Sequence, residues 1–176
     1  MITIVSGTNR KNSLSFKIGK LYQEMLQELG ADSEIVDLAE LPEDFAFSAL
    51  YENNGKNEKF NPFRSKMSEA QKLVFILPEY NGSYPGVLKT FIDGLEWPDT
   101  FRHKKCALIG FSSGVQGGSD ALSHLTDVFH YMGMHVMALK LKLGQIEKNS
   151  ILEPFSITNE IYLNLMKEQA EQFVKF

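Results

Sequence analysis

The sequence predicts a three-layer α/β sandwich, a five-stranded parallel sheet with helices on both faces, folded as one domain over residues 1–176. Three observations predict it. Apolar, β-branched runs alternate five times with segments of helical periodicity. Two of the runs, KLVFILPEY and KKCALIGFS, are unbroken in apolar character, as strands covered on both faces require. A chain of 176 residues with 43% hydrophobic content suffices for one core, burying roughly 70% of its unfolded surface.

Met-Ile-Thr-Ile-Val at residues 1–5 reads as a buried first strand. After the turn GTNRKNS (Gly7 to Ser13), Ile18, Leu21, Tyr22, Met25, Leu26 and Leu29 recur at helical spacing, and Gly30 is the stop. SEIVDL (Ser33 to Leu38) is the second strand, stopped by Leu41-Pro42. Residues 43–65 interleave Phe45, Phe47, Leu50, Tyr51, Phe60 and Phe63 with NNGKNEK, so a long loop with short helical pieces and a disordered tip at Asn53 to Asn57 is expected. The third strand spans Lys72 to Tyr80, the fourth Lys104 to Ser112 and the fifth His135 to Leu143. Helices are expected at about Gly86 to Leu95, Ser119 to Met132 and Ser156 to Val174.

In an open parallel sheet ligands bind above the carboxyl ends of the strands. The loops there are GTNRKNS, PEYNGSYPG and SSGVQGGSD. The first leads into a helix N-terminus, whose free N–H groups and positive dipole end prefer an anion, and Arg10 and Lys11 add charge. Thr8, Asn9, Asn12, Ser13 and Ser15 can bond phosphate oxygens, although Ser, Thr and Asn before a helix are also ordinary caps. The loop lacks both G-x-G-x-x-G and G-x-x-x-x-G-K-[ST], which argues against dinucleotide-type and P-loop sites. In the second loop Pro78 fixes φ and removes a donor, Gly82 can take positive φ, and Tyr80 and Asn81 offer a ring face and an amide to a planar heterocycle. In the third, Ser112, Ser113 and three glycines let a ligand approach the backbone. A phosphate at one end and a flat polar ring at the other satisfies all three loops, and flavin mononucleotide has that shape.

Formal net charge is −4, with no basic block for nucleic acid or an anionic membrane. No segment reads as a leader or a membrane span, so a cytoplasmic setting is expected. Cys106, the single cysteine, sits in the apolar run CALIGF and reads as core, with Lys104 and Lys105 turned to solvent. His103, His124, His130 and His135 lack metal-ligand spacing and read as surface or interface residues. Ser119, Asp120, His124 and Asp127 could suggest a hydrolase, but Ser119 and His124 share no helix face and no G-x-S-x-G elbow is present.

SGTNRKNSLS resembles the S-G-S-x-R-x-x-S-x-N phosphate loop of the NADPH-dependent FMN reductase family, and PEYNGSYPGVLKTFIDGL resembles that family's P-E-Y-N-x-S-x-P-G-x-L-K stretch. SSGVQGGSDALSHL is similar to its serine- and glycine-rich third segment. The resemblance implies a flavodoxin-like fold with strand order 2-1-3-4-5 and an FMN-dependent NAD(P)H oxidoreductase that reduces quinone, azo, nitro or metal-oxyanion acceptors by ping-pong hydride transfer. It implies that Thr8, Arg10 and Ser13 hold the FMN phosphate, together with Ser15 where the family often has asparagine. Pro78, Glu79, Tyr80, Asn81 and Gly82 would line the ring and ribityl chain, and Ser112, Ser113 and Gly114 complete the flavin wall. NADPH or NADH is the implied reductant, a small molecule the acceptor, and a homodimer or homotetramer the implied assembly. Trp97 and Phe101 are either core or a cover for the flavin across a subunit boundary. No catalytic residue is implied. The rival from another class is a flavodoxin-like electron carrier that binds FMN without pyridine-nucleotide turnover.

Overall fold

The computed structural model describes residues 1–176. Strands β1 (Ile2–Ser6), β2 (Ser33–Asp37), β3 (Lys72–Pro78), β4 (Lys105–Phe111) and β5 (His135–Val136) form a parallel sheet in the order β2-β1-β3-β4-β5. That is the flavodoxin-like order. Because successive side chains on a strand point to opposite faces, the sheet has a core on each side. Val5, Leu73, Phe75, Leu77 and Leu108 face one way, onto helices α4 (Gly86–Asp93) and α5 (Ser119–Tyr131). Ile4, Val74, Ile76, Ala107 and Ile109 face the other, onto α1 (Leu14–Glu28) and α6 (Glu160–Lys175).

The fifth strand is broken where one continuous run was expected. Residues 137–140 leave the ladder, and β6 (Leu141–Leu143) then resumes parallel pairing with β4. The break exposes carbonyls to a dry interior, where an unpaired acceptor costs roughly 1–3 kcal/mol. Fully buried Gln169 on α6 offsets that cost, its Nε2 donating to Leu108 O at 3.2 Å and Leu139 O at 2.7 Å. The last helix also begins later than the periodicity predicts. Asn159 caps it, accepting from the N–H groups of Ile161 and Tyr162 at 3.0 and 3.3 Å. The preceding residues form a hairpin, β7 (Ser150–Leu152) with β8 (Phe155–Ile157).

Residues 43–65 hold short helical pieces, α2 (Phe45–Ser48) and a single turn at Tyr51–Asn53, and then enter a regular helix, α3 (Asn61–Glu69). Phe45 stacks on Phe60 at 5.6 Å and Phe60 meets Phe91 of α4 edge-on at 6.0 Å, so the aromatics tie this segment to the core. The asparagine-rich tip, expected to be disordered, is pinned by its own amides: Asn57 donates to Ser48 Oγ at 2.6 Å and accepts from the N–H groups of Lys59 and Phe60.

Lys104 and Lys105 correct another expectation, because both ammonium groups cap carbonyls at the amino end of the sheet. Lys104 Nζ donates to Met67 O and Ser68 O at the end of α3, at 2.8 and 2.7 Å, and burial lowers its pKa. Lys105 donates to Phe176 O at the end of α6. Cations at helix carboxyl ends satisfy the last carbonyls and complement the dipole.

Cys106 is fully buried, and burial pushes its thiol up to about 12. Burial likewise raises the Tyr22 phenol. Between the ordinary thiol value of 9.0 and the folded value, the unfolded chain releases a proton that the folded chain keeps, so stability falls as pH rises through that window. Urea unfolding from pH ~8 to ~10.5 should show a falling midpoint, and Cys106→Val should remove the part that starts near the thiol's ordinary value.

Candidate functional site

The parallel strands end together, and the loops after β1, β3, β4 and β6 meet above that edge around a cleft of about 700 Å³. Small-molecule sites run from about 300 to 1,000 Å³.

The first wall is the loop between β1 and α1. Ser13 is the N-cap of α1, its Oγ accepting from Phe16 N at 3.2 Å. Between Thr8 and Ser15 only the Arg10 N–H finds an acceptor within the chain, Thr8 Oγ1 at 3.4 Å. The other backbone donors stay free for an anion, at the helix end where the dipole favours one. Arg10, Lys11 and Lys17 add three cations to the same wall.

The second wall follows β3. Asn81 and Gly82 have φ of 51° and 74°, and Tyr80 and Ser83 exchange both backbone hydrogen bonds, at 2.8 and 3.1 Å. Asn-Gly with positive φ at both central positions is the favoured tight hairpin turn. It presents Tyr80 to the cleft, and the Tyr80 hydroxyl bonds Thr8 Oγ1 at 3.0 Å, joining the first two walls.

The third wall is built differently from the expectation. The glycines after β4 admit the protein's own backbone: a Cβ on Gly117, whose φ is 60°, would lie 2.6 Å from Lys142 C, and one on Gly144 would lie 2.5 Å from Val115 O. The 112–118 loop therefore closes against the turn after β6, with Gln145 N donating to Gly114 O at 2.8 Å and Ile146 N to Ser112 O at 3.1 Å. Ser113 Oγ donates to Glu147 at 2.8 Å. This contact draws Ile146 and Glu147 into the cleft.

Of the residues expected to bind the ligand, Thr8, Arg10, Ser13, Pro78, Glu79, Tyr80, Ser112 and Ser113 line the cleft. Ser15, Asn81, Gly82 and Gly114 do not. Ser15 is fully buried behind the loop with an unpartnered Oγ, and Asn81 and Gly82 form the tip of the Tyr80–Ser83 turn. Gly114 sits behind Ser112. Ile146 and Glu147 went unforeseen, although the rule that picks out carboxyl ends of strands applies equally to β6. Leu152 and Glu153 come from the hairpin tip, for which the sequence carries no signal. Trp97 lies away from the cleft, stacked on Tyr131 at 6.1 Å between α4 and α5, while Phe101 is core. His124 pairs with Ser83 Oγ through Nδ1 at 3.0 Å and forms no hydrogen bond with Ser119, Asp120 or Asp127, so these residues make no nucleophile–base pair. No cluster of His, Cys, Asp or Glu has metal-binding geometry, and no helix is long and apolar enough to cross a membrane.

Residues 1–147 match the family described as NADPH-dependent FMN reductase. A 2-hydroxy-1,4-benzoquinone reductase of a Burkholderia species is 30% identical over 139 residues, 77% of this chain and 73% of that protein. An FMN-dependent NADPH-azoreductase of Staphylococcus aureus (strain USA300) is 32% identical over 124 residues, 69% of this chain and 65% of that protein. Among solved structures, FerB, a flavoenzyme NAD(P)H:(acceptor) oxidoreductase from Paracoccus denitrificans, superposes with a TM-score of 0.76 at 24% identity, covering 99% of this chain and 94% of the other.

The glycine contacts make a discriminating prediction. Gly117→Ala forces a backbone clash at positive φ and should cost more than about 2 kcal/mol in urea unfolding. Gly114→Ala, whose Cβ would meet only Ser112 Oγ at 3.8 Å, should stay within about 0.5 kcal/mol of the parent.

Proposed function

The chain belongs to the NADPH-dependent FMN reductase family and is an FMN-dependent NAD(P)H oxidoreductase, and we propose that at this cleft it reduces small electron-poor acceptors, quinones and azo compounds foremost. The observation that carries the site assignment is the set of backbone donors between Thr8 and Ser15, all but that of Arg10 unbonded within the chain, beside the Arg10 and Lys11 side chains in a cleft large enough for a mononucleotide. These groups fit a phosphate monoester. Bound there, FMN would supply the hydride chemistry that links NAD(P)H to the acceptor.

The chain's own residues then have distinct tasks. Thr8, Arg10 and Ser13 hold the phosphate, with Ser15 behind them. Tyr80, fixed by its bond to Thr8, and Pro78 form one side of a slot for a planar ring, and Ser112 and Ser113 the other. Asn81, Gly82 and Gly114 shape the turns that carry these walls. Leu14, Phe111 and Ile146 give the floor an apolar lining that limits water. Glu79 adds a carboxylate to the same cleft. We read residues 1–176 as one flavin-binding domain, placed in the cytoplasm by its need for reduced nicotinamide.

The assembly we infer is a homodimer or a homotetramer built from it. A second groove of about 510 Å³ between α4 and α5 exposes Trp97 (57%) and Tyr131 (85%) beside Ile92, Leu95 and Val128. Large exposed aromatics on one contiguous patch mark association surfaces.

Purified protein should carry a flavin absorption spectrum, or acquire one with added FMN, and oxidise NAD(P)H when a small quinone is supplied. Arg10→Ala should raise the FMN Kd about 10- to 100-fold, the equivalent of one charge-assisted hydrogen bond. A protein that takes up no FMN would overturn the site assignment, and FMN binding without turnover would favour the electron carrier. Sedimentation should give a dimer or tetramer, and Tyr131→Glu should shift it toward monomer.

A further inference from the structure

The cleft has a fourth wall that lies beyond the family match, which ends at residue 147. It is the tip of the β7–β8 hairpin, whose Leu152 and Glu153 stand across from Arg10 to Leu14. The base of the hairpin is fixed firmly. Asn149 Nδ2 donates to Gly144 O and Gln145 O at 3.1 Å, Ser150 Oγ to Ile146 O at 2.7 Å, and Thr158 N to Asn149 O at 2.9 Å. Phe155 and Ile157 anchor β8 in the core beneath α6.

The tip is held otherwise. Its hydrogen bonds to the rest of the chain all come from one group, Lys17 Nζ, which donates to Leu152 O at 3.1 Å and to the Glu153 carboxylate. Lys17 is the fourth residue of α1, two residues past Ser15, the last free amide of the phosphate wall. Its side chain is 22% exposed and that of Glu153 82%. An ion pair so wet contributes at most about 1 kcal/mol. That shifts melting by only a few degrees, and it is enough to change the lifetime of a bound molecule severalfold.

Resting on the reading of the cleft as an FMN site, we propose that the hairpin is a clasp over the phosphate end, latched by Lys17, that sets how fast the flavin leaves. A ligand whose phosphate sits on residues 8–15 lies between α1 and the tip. With the latch made, Leu152 and Glu153 close the cleft on the side away from Tyr80. With it broken, nothing polar restrains the tip, and the phosphate end opens to water. The same lysine could alternatively act as a direct phosphate ligand, and the two roles predict opposite effects at Glu153. If Lys17 served the phosphate, Glu153 would compete for it, and removing that carboxylate would tighten binding.

FMN release from the parent protein and from Glu153→Gln, Lys17→Met and the double variant decides between them, followed by stopped-flow trapping of free flavin, with apo-protein melting as the structural control. A clasp predicts about fivefold faster release in Glu153→Gln, at least that in Lys17→Met, no further gain in the double variant, and apo melting lowered by no more than about 4 °C in all three. Slower or unchanged release in Glu153→Gln overturns it, as does a larger loss of apo stability, which marks a general structural defect. A parent protein that binds no FMN would overturn the site reading and the clasp with it, whereas normal FMN binding with release indifferent to Glu153 would overturn the clasp alone.

Discussion

Strands β1, β3 and β4 are buried along nearly their whole length on both faces. Helices must cover each side, and crossovers of one hand must return the chain to the same end of the sheet each time. Every strand then finishes at one edge. The polar residues that follow each strand cannot enter the core, so they collect there, and the cleft is the result. Arg10, Tyr80 and Ser113 are neighbours because of the parallel register of β1, β3 and β4, though more than a hundred residues separate the first from the last.

Different physical devices fix the walls of that cleft. The first loop is tied by the Arg10 N–H bond to Thr8 Oγ1 and fixed at its end by the Ser13 cap. The second is a tight Asn-Gly turn braced to the first through Tyr80 and Thr8. The third exists because Gly117 and Gly144 allow two backbones to come closer than any side chain would permit. The fourth is the least secure, a hairpin tip on a solvent-exposed ion pair. On the proposed reading of the cleft, the braced walls surround the ring slot and the weak one stands at the phosphate end, so that flavin exchange leaves the ring-binding walls undisturbed.

The break in the fifth strand shows the same economy of donors. Once residues 137–140 leave the ladder, a buried carbonyl of β4 needs a new partner, and Gln169 reaches it from a helix 61 residues further on. Its own Oε1 stays unpartnered, as do the Tyr22 hydroxyl and Ser15 Oγ in the buried interior on that side. The α1–α6 side of the sheet therefore retains several unsatisfied polar atoms, whereas on the α4–α5 side Phe129 meets Phe75 at a tilt, 4.6 Å between ring centres, and stacks on Phe101 at 6.2 Å.

Sequence alone determined the alternation of strands and helices, the buried character of Lys72 to Pro78 and Lys105 to Phe111, and three of the loops over the edge, because periodicity and glycine or proline chemistry act over a few residues. Its motifs also carried the family resemblance, and eight of the expected contacts line the cleft. The rest was decided by tertiary structure. Helix α3 depends on the packing of Phe63 against Phe60 and Phe91, and the late start of α6 on its Asn159 cap. The glycines of the third loop read as room for a ligand, and only the return of the chain after β6 shows that they make room for the protein's own backbone. Lys17 reads as an ordinary surface residue of a helix until the hairpin, more than 130 residues away, brings Glu153 to it. Contacts between such distant segments leave no local pattern, since each side chain is ordinary where it stands and gains its role from what the fold places opposite.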